Sequence, residues 1–181
     1  MCTCYLASDV SIIAPYVRRW KIASFEARDH AFIHAHVAYP KPMIVSSGGM
    51  DETEVVELAH WLGTHYSPDS YSILHCLSAY PAPPEEMNLL ALDGLTFEGL
   101  SDHSCSPIVA AMAVARGATI IEAHLRLDDC PPGNADYPHS MPPARFAEYV
   151  ATIRLAEKIM GDGKKRVMPS EEPWTRYSVR P

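Results

Sequence analysis

Features that would direct this chain to a membrane or to nucleic acid are scarce. No apolar run approaches the roughly 18 residues that a membrane span requires. The N-terminus has no basic stretch followed by a long apolar run, as a signal peptide would have. Lys and Arg number 15 against 22 Asp and Glu, which gives a formal net charge of −7. Because phosphate neutralisation needs a basic face, we expect neither nucleic acid nor a membrane as a partner.

Disulfide pairing is not indicated either. The five cysteines are odd in number and scattered, and they contain no C-x-x-C spacing. We therefore expect a reducing, cytoplasmic location. The length of 181 residues is enough for a domain with a hydrophobic core.

Short apolar runs alternate with stretches of helical periodicity. Asp51 is a predicted N-cap followed by an acidic turn, and Gly63 is the predicted C-cap of the same helix. Further helices are predicted over 107–116 and 143–160, the second with an apolar stripe. This alternation predicts a parallel sheet with helices outside it. The predicted strands are residues 2–6, 20–24, 43–46, 72–77, 97–101 and 119–124.

Polar residues at the ends of the predicted strands distinguish between two parallel-sheet folds. A doubly wound sheet concentrates ligand contacts at one switch point, whereas a barrel places reactive residues at the C-terminal ends of several strands. Polar ends on consecutive strands therefore favour a (β/α) barrel. These residues are Lys21, Ser24, Glu26, Ser46, Ser47, His75, Ser78, Tyr80, Ser101, Asp102, His103, Glu122 and His124.

A histidine pair is the first candidate site. His103 and His124 end successive predicted strands, which would lie about 5 Å apart, so both imidazoles can reach one cation. Asp102 and Glu122 are nearby carboxylates that can support them or ligate. The alternative is that ordinary hydrogen bonds satisfy both imidazoles. His139 lies in a loop that can approach the pair, and the sequence leaves its role open.

An anion site is the second candidate. Lys21 lies inside an otherwise apolar strand, where an unpaired ammonium is costly. It pairs either with Glu26 or another acid, or with an anionic ligand. The segment 46–49, Ser-Ser-Gly-Gly, precedes a capped helix and offers hydroxyl and backbone N–H donors. A glycine-rich turn at such a place also occurs for steric reasons alone.

Five segments, in the same order, resemble motifs of the N-acetylneuraminate (sialic acid) synthase family. The chain reads KIASFE at 21–26, where the family has K-I-A/G-S-x-E. It reads KPMIVSSGGM at 41–50, similar to K-P-x-I-x-S-T-G-M with one extra glycine. It reads LHCLSAYPAP at 74–83, similar to L-H-C-T-S-x-Y-P-x-P. It reads GLSDHS at 99–104 and GATIIEAH at 117–124, similar to G-x-S-D-H-T and G-A-x-x-I-E-x-H.

The resemblance implies a reaction. The family condenses phosphoenolpyruvate with N-acetylmannosamine or a related amino-sugar aldehyde, and releases phosphate and a nonulosonic acid. By resemblance His103 and His124 would hold a divalent metal, Mn²⁺ in the first place and Mg²⁺ or Co²⁺ as alternatives, which polarises the aldehyde.

The resemblance also implies roles for individual residues. The positions that hold phosphoenolpyruvate correspond to Lys21, Ser24, Ser46 and Ser101. The positions on the sugar side correspond to Glu26, Ser78, Tyr80 and Asp136. The implied catalytic residues are Lys21, Glu26 and Asp136.

The family's barrel has eight strands, and the match implies that this chain carries about six of them, the third to the eighth. The glutamate and lysine of the first two strands, and the arginine of a C-terminal antifreeze-like domain, have no counterpart in the sequence. We expect a partial (β/α)8 TIM-barrel domain over 1–166 and a tail or linker over 167–181. Because unpaired sheet edges favour pairing, we expect a homo-oligomer or a partner chain to complete the barrel.

Three functions follow as hypotheses. The chain is an enzyme or enzyme subunit of nonulosonic acid synthesis, or a relative that makes another sugar acid by the same chemistry. Alternatively, it is a catalytically inactive barrel remnant that acts as a binding or assembly subunit. The histidine pair, Lys21 and the serines favour retained chemistry, whereas the two missing strands favour inactivity of the chain alone.

Overall fold

Seven parallel strands lie side by side in chain order, and each pairs with the next strand along the chain. The computed structural model describes residues 1–175. The strands are β1 (Cys2–Thr3), β2 (Trp20–Ile22), β3 (Met43–Ser46), β4 (Tyr71–Cys76), β5 (Phe97–Asp102), β6 (Ile120–Leu125) and β7 (Ser140–Met141). A doubly wound sheet reverses its strand order at a switch point, and this sheet does not. The prediction of a partial, curled barrel is therefore confirmed.

Helices follow most of the strands. They are α1 (Ala7–Ile13), α2 (His30–His34), α3 (Glu52–His65), α4 (Ala91–Gly94), α5 (Pro107–Ala115), α6 (Pro143–Met160) and α7 (Glu172–Thr175). Single 3-10 turns cover Ala14–Tyr16, Pro68–Ser70, Pro84–Glu86, Tyr137–His139 and Pro169–Glu171. No helix in residues 1–175 combines the length and the apolar character needed to cross a membrane.

Helix α3 begins where the sequence predicts and ends later. Asp51 and Glu54 form a reciprocal capping box, each side chain accepting from the other's backbone N–H at 2.9 Å. The prediction that Gly63 ends the helix is wrong, because the helix continues to His65. Tyr66 sets the end instead. Its N–H donates to Leu62 O at 2.8 Å, and its hydroxyl reaches Ile33 O at 3.0 Å.

The two-residue period of the strands separates an apolar outer face from a polar inner face. On β2, Trp20 and Ile22 are fully buried in the largest apolar cluster, against α1, α2 and α3. Lys21 lies between them and faces the other way, into the interior of the curl. The inner face therefore carries the polar residues that could do chemistry.

Two sequence expectations need correction. The expectation of about six strands is corrected to seven, because β7 has only two residues, too few to show a period, and forms by pairing with His124 and Leu125. The expected apolar stripe of α6 is narrower than predicted. Tyr149 and Ile153 are buried, whereas Val150 and Met160 are 37% and 50% exposed.

The proposed division into a barrel domain over 1–166 and a tail over 167–181 stays a prediction. Within the tail, residues up to 175 form the last 3-10 turn and α7, both exposed. Residues 176–181 lie outside the described part of the chain.

The β5–β6 contact yields a stability prediction. A Cβ on Gly99 would lie 2.0 Å from the Ile120 carbonyl oxygen on β6, so any side chain there must push the strands apart. We expect Gly99→Ala to lower the free energy of unfolding by about 1–3 kcal/mol or more, measured by urea denaturation. Gly94→Ala is the matched control, because a Cβ there meets nothing within 4 Å. Equal midpoints for the two variants would contradict the described strand contact.

Candidate active site

A cavity of about 650 Å³ lies inside the curl at the C-terminal ends of the strands. Most of the residues predicted for the site line it, and they come from five strands or the loops after them. These residues are Lys21, Ser24, Ser46, Tyr80, Ser101, His103, His124 and Asp136. The cavity thus has a cationic and hydroxyl-rich part, near β2 and β3, and an imidazole part, near β5 and β6.

Lys21 is the buried cation of the cavity. Its side chain is 7% exposed, and its Nζ lies 3.6 Å from Glu122 Oε2 and donates to Ile22 O at 2.8 Å. Burial lowers the pKa of Lys21, and the neighbouring Glu122 carboxylate offsets part of that shift. The acid that pairs with Lys21 is therefore Glu122, from a different strand, and the sequence alone did not single it out.

Three serines line the same cavity as the Lys21 ammonium, and one of them has an unused hydroxyl. Ser46 is 2% exposed, and its Oγ is buried without a hydrogen-bond partner among residues 1–175. Ser24 Oγ accepts from the Gly48 N–H at 2.9 Å, and Ser101 Oγ donates to Glu122 Oε1 at 3.2 Å. A buried hydroxyl without a partner is unfavourable, so Ser46 is ready to bind a ligand atom in the cavity.

Gly48 allows the chain to pass close under this part of the cavity. A Cβ at position 48 would lie 2.0 Å from Ser78 Oγ, 2.8 Å from Ser24 Oγ and 2.9 Å from Cys76 Sγ. A side chain at position 48 would therefore force Ser78, Ser24 or Cys76 to move, and the backbone N–H of Gly48 donates to Ser24, which lines the cavity.

His103 is oriented by the backbone. Its Nδ1 lies 2.9 Å from Leu77 O and 3.9 Å from Cys76 Sγ. Because a carbonyl oxygen only accepts, Nδ1 carries the hydrogen, and in the neutral ring Nε2 keeps a free lone pair. This arrangement is typical of metal-binding histidines. Burial alone would lower the pKa of His103, but the contacts with Cys76 and Leu77 outweigh it, and the pKa is raised.

His124, Asp136 and His139 form a second group that overlaps the predicted pair. One potential ligand atom from each lies within 4.8 Å of the others. The ring of His124 lies 5.1 Å from that of His103 and 4.8 Å from that of His139. Burial lowers the pKa of His124, and the proximity of His103 and His139 lowers it further. The neutral, ligating form of His124 is therefore favoured.

The two carboxylates expected beside the histidines have other contacts. Asp102 alternates with Ser101 and His103 and points outward, where its Oδ2 accepts from the Tyr149 hydroxyl at 2.6 Å and its Oδ1 from the Ser104 N–H at 2.7 Å. Glu122 turns to Lys21 and Ser101. Neither belongs to the His124–Asp136–His139 group.

Glu26, Ser78 and His75 lie apart from the main lining. Among residues 1–175, the residues that line the cavity do not include Glu26 or Ser78, although each has a buried side-chain oxygen without a hydrogen-bond partner. His75 faces outward and contacts Met87 O at 2.7 Å, because its position on β4 has the opposite parity to Cys76. The catalytic and sugar-binding roles expected for Glu26 and Ser78 stay predictions.

Comparison with known proteins identifies relatives over nearly the whole described chain. The pattern described as the NeuB family matches residues 1–165. The pseudaminic acid synthase of Campylobacter jejuni is 39% identical over 80% of this chain and 43% of its own length. The N,N'-diacetyllegionaminic acid synthase of Legionella pneumophila is 34% identical over 90% of this chain and 48% of its own length. The chain thus spans about half the length of these curated relatives.

A solved structure agrees with the described fold. The N-acetylneuraminic acid (sialic acid) synthetase of Leptospira borgpetersenii, in complex with citrate, superposes with a TM-score of 0.83 at 28% identity. The match covers 97% of this chain and 62% of that protein.

The outward contact of Asp102 yields a prediction for the support of the site. Tyr149→Phe removes the hydroxyl that donates to a buried carboxylate one residue before His103. We expect the free energy of unfolding to fall by about 1.5–3 kcal/mol in urea denaturation. Tyr16→Phe, at a position that is 83% exposed, is the control and should change it by less than about 0.5 kcal/mol. Equal free energies of unfolding for Tyr149→Phe and Tyr16→Phe would argue that the Tyr149–Asp102 hydrogen bond does not form.

Proposed function

The chain belongs to the NeuB family, and from this premise we propose that it forms the phosphoenolpyruvate-binding and metal-binding part of a synthase active site. The reaction joins phosphoenolpyruvate to N-acetylmannosamine or a related amino-sugar aldehyde, and yields a nonulosonic acid and phosphate. The observation that carries the proposal is the cavity itself. A buried ammonium with an unused hydroxyl occupies one end, and a cluster of imidazoles occupies the other.

Phosphoenolpyruvate suits the end around Lys21. Its phosphate and carboxylate would meet the Lys21 ammonium, the free Ser46 hydroxyl, and the hydroxyls of Ser24 and Ser101. Among the described residues, Glu122 supplies the one carboxylate within 4 Å of Lys21, at 3.6 Å, and the same carboxylate accepts from Ser101. Burial lowers the pKa of Lys21 in spite of this carboxylate. An anionic ligand would therefore stabilise a cation that burial disfavours.

The aldehyde suits the imidazole end. His103 offers a free Nε2, and His124 favours its neutral form, so both fit the donor chemistry of a metal ligand. A bound divalent ion, Mn²⁺, Mg²⁺ or Co²⁺, would polarise the aldehyde carbonyl as a Lewis acid. Tyr80 packs on His103 with ring centroids 4.4 Å apart and lies at the rim with Asp136, where both could orient the sugar. Glu26 and Ser78 are the further residues that we assign to the sugar side.

The inactive-remnant hypothesis is the second candidate. The sheet edges bear on it, because they leave one side of the cavity uncovered in the single chain. Within residues 1–175, β1 and β7 each pair with one strand only. Tyr5 and Phe25 line the cavity near β1 and are 68% and 77% exposed. We propose that a second copy or a partner chain covers this side before turnover occurs.

Turnover is tested by phosphate release from phosphoenolpyruvate with Mn²⁺ and N-acetylmannosamine, with His103→Ala as the inactive control. We expect release by the purified protein, or on addition of the covering partner. If no phosphate is released with or without the partner, and calorimetry detects no metal binding, the hypothesis of an inactive remnant replaces that of an enzyme.

Ligand binding gives a sharper prediction that does not depend on turnover. Lys21→Met keeps the length of the side chain but removes its charge, so we expect calorimetry to give about 10- to 100-fold weaker binding of phosphoenolpyruvate. Lys158→Met, on the exposed face of α6, is the matched control and should bind like the unaltered protein. Unchanged binding by a folded Lys21→Met variant would remove the anion site from the proposal.

The covered-edge proposal predicts the size of the particle. Light scattering should give a mass above that of one chain, and Phe25→Ser should shift it toward one chain because an apolar contact is lost. Tyr16→Ser, at an equally exposed position away from the cavity lining, should leave the mass unchanged. A stable monomer that binds no dye for exposed apolar surface would contradict the proposal.

A further inference from the structure

His139 is an imidazole of the cavity that the resemblance does not assign. Its side chain is 5% exposed, although it lies in the 3-10 turn of an otherwise exposed loop. Its ring lies 4.9 Å from the ring of Tyr80 and 4.8 Å from that of His124, and both contacts are edge to face. The ring of His103 lies 6.4 Å away. Three histidine rings therefore meet at one end of the cavity.

The hydrogen bonds of His139 are incomplete. Nε2 lies 3.3 Å from Asp136 Oδ1, whereas Nδ1 is buried without a hydrogen-bond partner among the described residues. If Nε2–H donates to the carboxylate, Nδ1 carries a lone pair that faces no donor. A buried nitrogen lone pair without a donor is unfavourable unless a ligand meets it.

The position of His139 is fixed by the backbone. Ser140, the next residue, pairs with His124 across the β6–β7 contact, so His139 is held at the start of β7, close to His124 on β6. The guanidinium of Arg126 lies 4.2 Å above the ring of Tyr137 and also contacts Ser140 O, which holds the loop on both sides of His139. The imidazole is therefore placed by the fold and not by a freely moving loop.

We propose that His139 is a third imidazole ligand through Nδ1, so that His103, His124 and His139 hold one metal ion, while Asp136 accepts from His139 Nε2–H and orients the ring. The ligand atoms of His124, Asp136 and His139 lie within 4.8 Å of one another. In a tetrahedral site with metal–nitrogen distances of about 2.1 Å, the donors lie about 3.4 Å apart, so these side chains must approach one another by up to about 1.4 Å. His103, which lies outside this group, must approach as well.

The donor set also determines which ions bind. Imidazole suits Zn²⁺, Co²⁺ and Fe²⁺, whereas carboxylate and water suit Mg²⁺ and Mn²⁺. A site with three imidazole ligands is nitrogen-rich, so Co²⁺ and Zn²⁺ should bind much more tightly than Mg²⁺. This inference rests on the proposed function only in that the same site holds a metal.

The test counts the nitrogen ligands directly on the full chain. The metal-free protein is titrated with Co²⁺, and the NMR signals of imidazole N–H protons, shifted by the bound ion and exchangeable with solvent, are counted. We expect three such signals in the unaltered protein and two in His139→Gln. Two signals in the unaltered protein would overturn the inference, and this readout does not require that any variant folds.

Affinity provides the second readout. His139→Gln should bind Co²⁺ about 10- to 100-fold more weakly, whereas His60→Gln, on the exposed face of α3, should bind it normally. The unaltered protein should prefer Co²⁺ over Mg²⁺ by at least about 100-fold. Equal affinity for the two ions, or unchanged Co²⁺ affinity in His139→Gln, would overturn the inference. Phosphate release with Mn²⁺ is measured separately, so the proposed function stands or fails without this result.

Discussion

The alternation of residues along parallel strands is the constraint on which the rest of this structure depends. Every second residue of β2 to β6 packs outward against helices, so the residues between them must face the interior of the curl. An apolar interior would satisfy that geometry near the start of the strands. At their C-terminal ends the inward positions are instead Lys21, Ser46, Ser101, Glu122 and His124. The polar lining of the cavity therefore follows from the residues that occupy these inward positions.

The Lys21–Glu122 pair joins the two ends of the cavity. Lys21 belongs to β2 and Glu122 to β6, so the pair spans the interior instead of linking neighbouring strands. Ser101 Oγ donates to the same carboxylate, two residues before His103. Glu122 thus lies between the cationic part and the imidazole part. A ligand that recruits the ammonium would alter the charge beside His124 as well.

Much of this arrangement could be predicted from the sequence. Lys21 between Trp20 and Ile22 indicated an unusual buried cation, and successive strands ending in histidine indicated that two imidazoles would meet. Strand parity, once the strands are known, also explains why Asp102 points away from His103. The sequence could not choose Glu122 over Glu26 as the partner of Lys21, because that choice depends on how strongly the sheet curls.

The features that escaped prediction depend on contacts between distant segments. Strand β7 has two residues and exists through its pairing with β6, so no local period marks it. His139 enters the site through that same pairing. Helix α3 passes Gly63 because Tyr66 is anchored on the carbonyl of Ile33, far away in the chain. Local propensity cannot encode such contacts, and tertiary packing overrides it.

Gly48 constrains how the residues around the cavity can vary. At position 48 a Cβ would collide with side-chain atoms of Ser78, Ser24 and Cys76, and Ser24 lines the cavity. Substitution of Gly48 therefore requires those side chains to move, and the displacement would reach the serine part of the cavity. Tyr80 lines the same cavity but is 43% exposed, so a change in its size meets no such collision. Packing therefore constrains the serine part of the cavity more tightly than the exposed side where Tyr80 lies.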